Sequence, residues 1–287
     1  MKEYEFFKKY TTIANIIKWG LAILIGVIFL IQEIGEMFTT EDYSMLANAA
    51  DFLRLFFIMV AVLLPTQIIA NVIIAKKYNS DILPLLNDRC DPRLFADAQL
   101  QFIQSRTVFA SNLLFKVNYA LGLWIAGDYE KSAKLYSEII YSKQYTSQPP
   151  MNRLIVLVNK LSLELATYNN VAEVKSMMPE IYMLFGQIPR KLKNYDQIKE
   201  NVENLAADIE FAEGNVSEAY EQRYANALAS AKFEFKRADC KYTLALYYRA
   251  VGNTEKYVFF AKDVITNYSK LFYASRLEQM LREDGLI

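Results

Sequence analysis

The sequence predicts an all-α protein in which a two-helix transmembrane hairpin precedes an α-solenoid of helical pairs. Two long apolar runs occupy the first 75 residues, and the chain that follows contains few glycines and prolines. Apolar residues in that second part recur at spacings of three and four, which is typical of amphipathic helices. We therefore expect a hairpin over 1–77, a helical connector over 78–110 and the solenoid over 111–287.

The two apolar runs, 13–31 and 52–75, are each long enough to cross a bilayer, which takes about 20 predominantly apolar residues. Both should be helices, because hydrocarbon leaves no partner outside the segment for its backbone polar groups. Lysines flank the pair, whereas the loop 32–51 holds acidic residues and no Lys or Arg. Since basic flanks stay on the cytoplasmic side, we predict an integral cell-membrane protein with both termini cytoplasmic and the loop outside.

Four polar side chains are predicted to lie within the membrane: Lys18, Arg54, Gln67 and Asn71. An antiparallel hairpin brings Lys18 roughly level with Gln67 and Asn71, so contacts between the helices are one interpretation, each worth about 0.5–2 kcal/mol. Simple snorkelling of Lys18 and Arg54 to the two interfaces is the other. Pro65 is expected to kink the second helix, because it removes one backbone hydrogen bond.

The composition argues against several classes of function. The 32 basic and 32 acidic residues balance, so no large positive field for nucleic acid is expected. Local basic clusters at 190–193 and 232–241 are interpreted as solvated helix faces or as a surface near anionic lipid. The chain has no histidine, the commonest general base and zinc ligand, and Cys90 and Cys240 lack a metal or disulfide spacing. We therefore expect no enzymatic activity, catalytic residue, metal or cofactor.

Turns at glycine or asparagine divide the second part into repeated helical pairs. The stretches around Gly127, Gly214 and Gly252 each read as a helix, a short turn and a second helix, and Tyr168-Asn169-Asn170 replaces the glycine turn in a fourth stretch. A left-handed residue ends the first helix of each pair. The residues expected to cap the second helices are Asp128, Asn215 and Asn253. One such pair cannot bury its apolar face alone, so the pairs are predicted to stack.

These turns carry a resemblance to a known repeat family. The segment Gly127–Tyr136 (GDYEKSAKLY) resembles the turn and second helix of a tetratricopeptide repeat, and Gly214–Ala219 (GNVSEA) resembles the same piece. Gly252–Ala261 fits more loosely, because Tyr257 stands where that family prefers a small residue. The spacing between turns also exceeds the 34 residues of the family. Taken whole, the chain resembles bacterial membrane-anchored tetratricopeptide proteins with divergent repeats, and a last helix over 270–283 is expected to cap the stack.

The resemblance implies a scaffold that is not an enzyme and that recruits a protein or peptide partner at the cytoplasmic face of the membrane. The concave surface of such repeats commonly binds an extended peptide or a partner helix. The residues predicted to bind the partner there are Asn118, Asn159, Asn204, Asp208 and Tyr247. Tyr247 also has a second interpretation, as packing between helices. The alternative function is a structural subunit of a larger membrane complex, joined through the hairpin to another membrane protein. The expected partners are therefore the lipid bilayer and proteins, not nucleic acid.

Overall fold

The structure is a computed structural model, and it describes residues 12, 16, 19–20, 22–27, 57, 65, 68, 72, 75–104 and 113–287. The described residues form helices joined by turns, with no strand among them, so the predicted all-α class is confirmed. The chain divides into two compact units, Met1–Ile82 and Leu83–Ile287.

The prediction of an integral membrane protein is wrong. Within the part of the chain that the structure describes, no helix combines the length and the apolar character that crossing a membrane requires. The helix from residue 75 onward soon reaches Lys76, Lys77 and Asp81, whose charges disfavour insertion. The predicted cell-membrane localisation with cytoplasmic termini is contradicted by the same finding.

The residues assigned to the hairpin lie mostly beyond what the structure describes. The predicted spans 13–31 and 52–75 contain only scattered described positions. Their four polar residues lie outside the described residues altogether, so the contacts proposed between the spans stay predictions: Lys18, Arg54, Gln67 and Asn71.

Helices follow one another through the second unit with short connections. Their bounds are α1 Leu83–Asn87, α2 Pro92–Gln104, α3 Leu113–Ile125, α4 Tyr129–Ile140, α5 Lys143–Thr146, α6 Pro150–Leu163, α7 Val171–Gly186, α8 Tyr195–Ala212, α9 Glu218–Ser230, α10 Glu234–Ala250, α11 Thr254–Asn267 and α12 Phe272–Glu283. Two π-helical turns, Tyr78–Ile82 and Glu164–Tyr168, precede α1 and follow α6.

The turns that the sequence marks connect helices that pack together. Helix α3 packs on α4, α6 on α7 and α10 on α11. The φ angles in these turns and in the turn after α8 are +88° at Gly127, +51° at Asn169, +90° at Gly214 and +73° at Gly252. After each glycine, the next N–H donates to the carbonyl five positions back, as Asp128 N does to Leu123 O at 2.8 Å. This pattern satisfies carbonyls that the end of a helix leaves open.

The helix caps differ from the prediction at two of the three turns. Asn253 does accept a hydrogen bond from the N–H three positions on, at 3.1 Å. Asp128 makes no capping bond, and its carboxylate lies 3.4 Å from the Arg93 guanidinium instead. Helix α9 begins later than expected, so Ser217 rather than Asn215 caps it, accepting at 3.4 Å. The Ser217 hydroxyl therefore supplies the capping acceptor that was predicted for Asn215.

The α8–α9 pair is held together by side chains more than by close backbones. The two backbones approach at few points, and the small residue Ala219 at the start of α9 is exposed. The ring of Tyr220 stacks on Phe211 at 4.6 Å between centroids. Aromatic side chains, rather than small residues in close backbone contact, therefore fill the space between α8 and α9.

The last helix returns to the first helices of this unit. Helix α12 packs on α10 and α11 and also contacts α3, while α10 contacts α1. At the start of α12, Phe272 lies 6.0 Å from the Trp124 ring and 5.6 Å from the Tyr129 ring. An ion pair of 2.5 Å joins Lys270 to Asp91. The predicted capping helix therefore also closes the unit onto its own beginning.

Candidate partner-binding surfaces

Most of the residues predicted to bind a partner make contacts inside the molecule. The Asn204 side chain accepts a hydrogen bond from Arg223 Nη1 at 3.3 Å. Asn159 is half-buried beside the Tyr136 hydroxyl, and Asn118 is half-buried and already has an interaction partner. Tyr247 is only 5% exposed, with its ring 6.2 Å from that of Tyr220 and 5.4 Å from that of Tyr248. The structure thus places Tyr247 in packing between helices.

Asp208 lies at the centre of a polar group that we call the tyrosine–carboxylate network. Its Oδ1 accepts hydrogen bonds from the hydroxyls of Tyr220, at 2.9 Å, and Tyr224, at 2.6 Å. Nearby on α10, Asp239 accepts from the Tyr273 hydroxyl at 2.9 Å and from the Lys236 ammonium at 3.1 Å. Hydrogen bonds at Asp208 therefore join α8 to α9, those at Asp239 join α10 to α12, and the two carboxylates are near enough for the charge of one to affect the other. The sequence signal for it was the pair of tyrosines four positions apart on α9, which share one helix face.

The surroundings of Asp208 favour its neutral form. Burial raises the pKa of Asp208 to about 6, against the opposing effect of the two tyrosine hydroxyls, and the charge of Asp239 raises it further. Burial and the Asp208 charge also raise the pKa values of Tyr220 and Tyr224 far above their usual range. Both tyrosines therefore stay protonated donors, while Asp208 titrates near pH 6.

This shift predicts a specific pH dependence of stability. The folded pKa of about 6 exceeds the unfolded value of about 3.9, so the folded state binds the proton more tightly. Its stabilising contribution is complete below pH about 4 and is lost as the pH rises through about 6. Relative to an Asp208→Asn variant, the free energy of unfolding of the unmodified protein should fall by on the order of 1–2 kcal/mol between these pH values. Urea denaturation across this range measures the difference.

The matched control for lost charge is Glu210→Gln, which removes an exposed carboxylate from the same helix. Curves of unfolding free energy against pH that run parallel for the unmodified protein and Asp208→Asn would contradict the prediction.

A charged cleft of about 360 Å³ lies where α10 and α11 meet the turn between α1 and α2. Its lining residues are Asp88, Arg89, Cys90, Glu234, Arg237, Lys241, Asn267 and Tyr268. Several of these charges already have partners: Arg237 pairs with Glu234 at 2.7 Å, and Lys241 pairs with Asp263 at 2.5 Å. Burial raises the pKa of Cys90 to about 11, so its thiol is neutral and a poor nucleophile near pH 7. The cleft is therefore mainly a set of internal ion pairs.

Helix α7 presents an uncharged and partly apolar face to solvent, which we call the α7 strip: Pro179, Tyr182, Met183 and Gly186. These residues are spaced three and four apart and lie on one face of the helix. Tyr182 is 53% exposed and Met183 54% exposed. No atom lies within 4 Å of the position that a Cβ at Gly186 would occupy, so the end of the strip is open.

The other face of α7 is packed against its neighbouring helices. Val174, Met178 and Ile181 are buried in a hydrophobic cluster that also includes side chains of α6 and α8. Sequence reasoning missed the strip because α7 is apolar on both sides, so its pattern does not separate the buried face from the exposed one.

A basic turn begins four positions after the α7 strip, and it consists of Arg190, Lys191 and Lys193. All three are exposed, and none forms an ion pair with any residue that the structure describes. The carboxylates of α7 itself are engaged elsewhere, since Glu173 lies 3.7 Å from Lys160 and Glu180 lies 3.7 Å from Arg153. The basic turn therefore keeps its positive charge beside an uncharged strip.

Comparison of the chain with protein-family models, curated proteins and solved structures gave no match. The resemblance to tetratricopeptide repeats therefore stays a prediction. The function has to be inferred from the surfaces described above.

Proposed function

We propose that this chain is a tetratricopeptide-like helical-repeat scaffold that recruits a protein or peptide partner. The proposal combines the paired helices joined by left-handed turns with the exposed α7 strip. Helical scaffolds suit this role because their backbone is already ordered, which reduces the conformational freedom lost on binding.

The observation that carries the proposal is the exposure of Tyr182 and Met183 on a helix whose opposite face is fully packed. Tyrosine and methionine are enriched at protein interfaces relative to the rest of the surface. Methionine also adapts to differently shaped partners, since its side chain is unbranched and polarisable.

The α7 strip supports recruitment better than the residues that the sequence suggested. Asn204, Asp208 and Tyr247 have hydrogen-bond or ring partners within the molecule. Binding a partner through them would first break those contacts, whereas Tyr182 and Met183 give up only contact with water.

Photocrosslinking in the cells that normally express the protein tests this proposal. A benzophenone amino acid in place of Met183, in the full chain, is expected to capture a protein that mass spectrometry identifies. The matched position is Tyr141, which is 90% exposed at the end of α4. Recruitment at the strip is supported if capture is stronger from Met183 than from Tyr141. Capture from Met183 should also decrease in the Tyr182→Ala variant. No identified adduct at either position would contradict the proposed function.

A further inference from the structure

We propose that the partner segment is an acidic amphipathic helix, which lays its apolar face on the α7 strip and its carboxylates on the basic turn. This inference rests on the proposed function and names the chemistry of the partner. The juxtaposition that carries it is an exposed uncharged ridge followed, after three intervening residues, by cations that have no ion-pair partner among the described residues.

The apolar part of the surface has the dimensions of a helix contact. The strip runs over eight residues from Pro179 to Gly186, and the seven steps between its ends cover about 10 Å at the helical rise of about 1.5 Å per residue. Two turns of a partner helix with apolar side chains at spacings of three and four cover that length. Gly186 adds no side chain at the end of the ridge, so a second backbone can approach closely there.

The charge of the surface selects an acidic partner. Arg190, Lys191 and Lys193 stand together in the chain without an intervening acid, and Asp196 in the first turn of α8 is the next acidic residue along the sequence. Complementary charges at the rim of an interface raise the association rate and discriminate against like-charged partners. A basic amphipathic segment would place like charges against the basic turn and should bind poorly.

Peptide titration with the full-length protein tests the inference. The probe is a fluorescein-labelled peptide of about 20 residues with Leu and Phe at helical spacing and Glu elsewhere. One control peptide carries Lys in place of Glu, and another has the acidic composition in scrambled order. Fluorescence anisotropy should show binding of the acidic amphipathic probe at least about tenfold tighter than of either control. The affinity should fall when salt rises from about 50 to 500 mM.

Two double variants separate the contributions of charge and apolar contact. The double variant Arg190→Glu, Lys191→Glu should bind the acidic probe at least about tenfold more weakly, and its binding should depend less on salt. The double variant Tyr182→Ala, Met183→Ala should weaken binding of the acidic probe by a similar factor, but the binding should keep its salt dependence. The matched controls are Lys131→Glu with Lys143→Glu, and Tyr141→Ala with Phe259→Ala. All of these control positions are exposed and should leave binding unchanged.

Several results would overturn the inference. One is that the acidic probe does not bind at concentrations up to about 1 mM. Another is that the Lys peptide binds as tightly as the acidic probe. A third is that the control variants lose as much affinity for the acidic probe as the variants of the strip and the basic turn. Binding of anionic lipid vesicles without binding of the acidic probe would assign the surface to a different class of ligand and would also overturn it. If Met183 captures an identified protein while the acidic probe fails to bind, the proposed function stands and only this inference falls.

Discussion

Replacing Phe272 with alanine is expected to destabilise the unit Leu83–Ile287 by about 3–5 kcal/mol. The side chain is 5% exposed and lies among four other aromatic rings: Trp124 at 6.0 Å, Tyr129 at 5.6 Å, Tyr242 at 5.9 Å and Tyr273 at 4.4 Å. Alanine would leave a cavity that these large rings cannot fill without moving away from their own contacts. Aromatic pairing adds to the loss beyond the buried area.

Urea denaturation followed by circular dichroism measures this effect. The matched control is Phe259→Ala, which removes the same side chain from a position that is 67% exposed on α11. Its free energy of unfolding should stay within about 0.5 kcal/mol of the unmodified protein. Equal losses from the two phenylalanines would mean that α12 does not hold the beginning of the unit in place.

A leucine at Gly122 is expected to destabilise the protein by about 3 kcal/mol. Helices α2 and α3 approach closely there, and a Cβ at Gly122 would lie 3.0 Å from Ala96 Cβ and 3.1 Å from Ala96 Cα. The second of these atoms belongs to the backbone, so relief requires the two helices to move apart. The better helix propensity of leucine, worth about 0.5–1 kcal/mol, is too small to compensate.

The same substitution at Gly186 is the control, because nothing lies within 4 Å of the Cβ position there. Gly186→Leu should leave the free energy of unfolding unchanged or raise it slightly, by up to about 1 kcal/mol. Thermal and urea denaturation of both variants measure the difference. A Gly122→Leu variant as stable as Gly186→Leu would show that the α2–α3 contact is looser than the structure has it.

Local sequence signals predicted the helical architecture well. Gly127, Gly214 and Gly252 all adopt positive φ angles where helices end, because left-handed backbone costs glycine little. The caps were less predictable, since Asp, Asn and Ser compete over a few positions and the exact start of the helix decides between them. The return of α12 to α3 has no local signal, because it depends on contacts between residues far apart in the sequence.

The candidate site was harder to predict than the fold. Asn204 and Asp208 were chosen for their polarity on a helix face, but polarity does not show whether a partner lies inside the molecule. Their hydrogen bonds come from Arg223, Tyr220 and Tyr224 on the next helix. The membrane prediction depended on hydropathy along the chain alone, and no helix among the described residues has the length and apolar character to cross a membrane.

The contact between the two ends of this unit has a consequence for its synthesis. Asp91 and Lys270 are separated by 179 positions, and Phe272 completes the aromatic cluster that Trp124 begins. An emerging chain cannot close this cluster until α12 has left the ribosome. Linear repeat arrays can form unit by unit from one end, whereas contacts of such long range slow folding and make closure of the cluster depend on α12. A nascent chain that stalls before α12 would therefore leave Trp124 uncovered and accessible to chaperones.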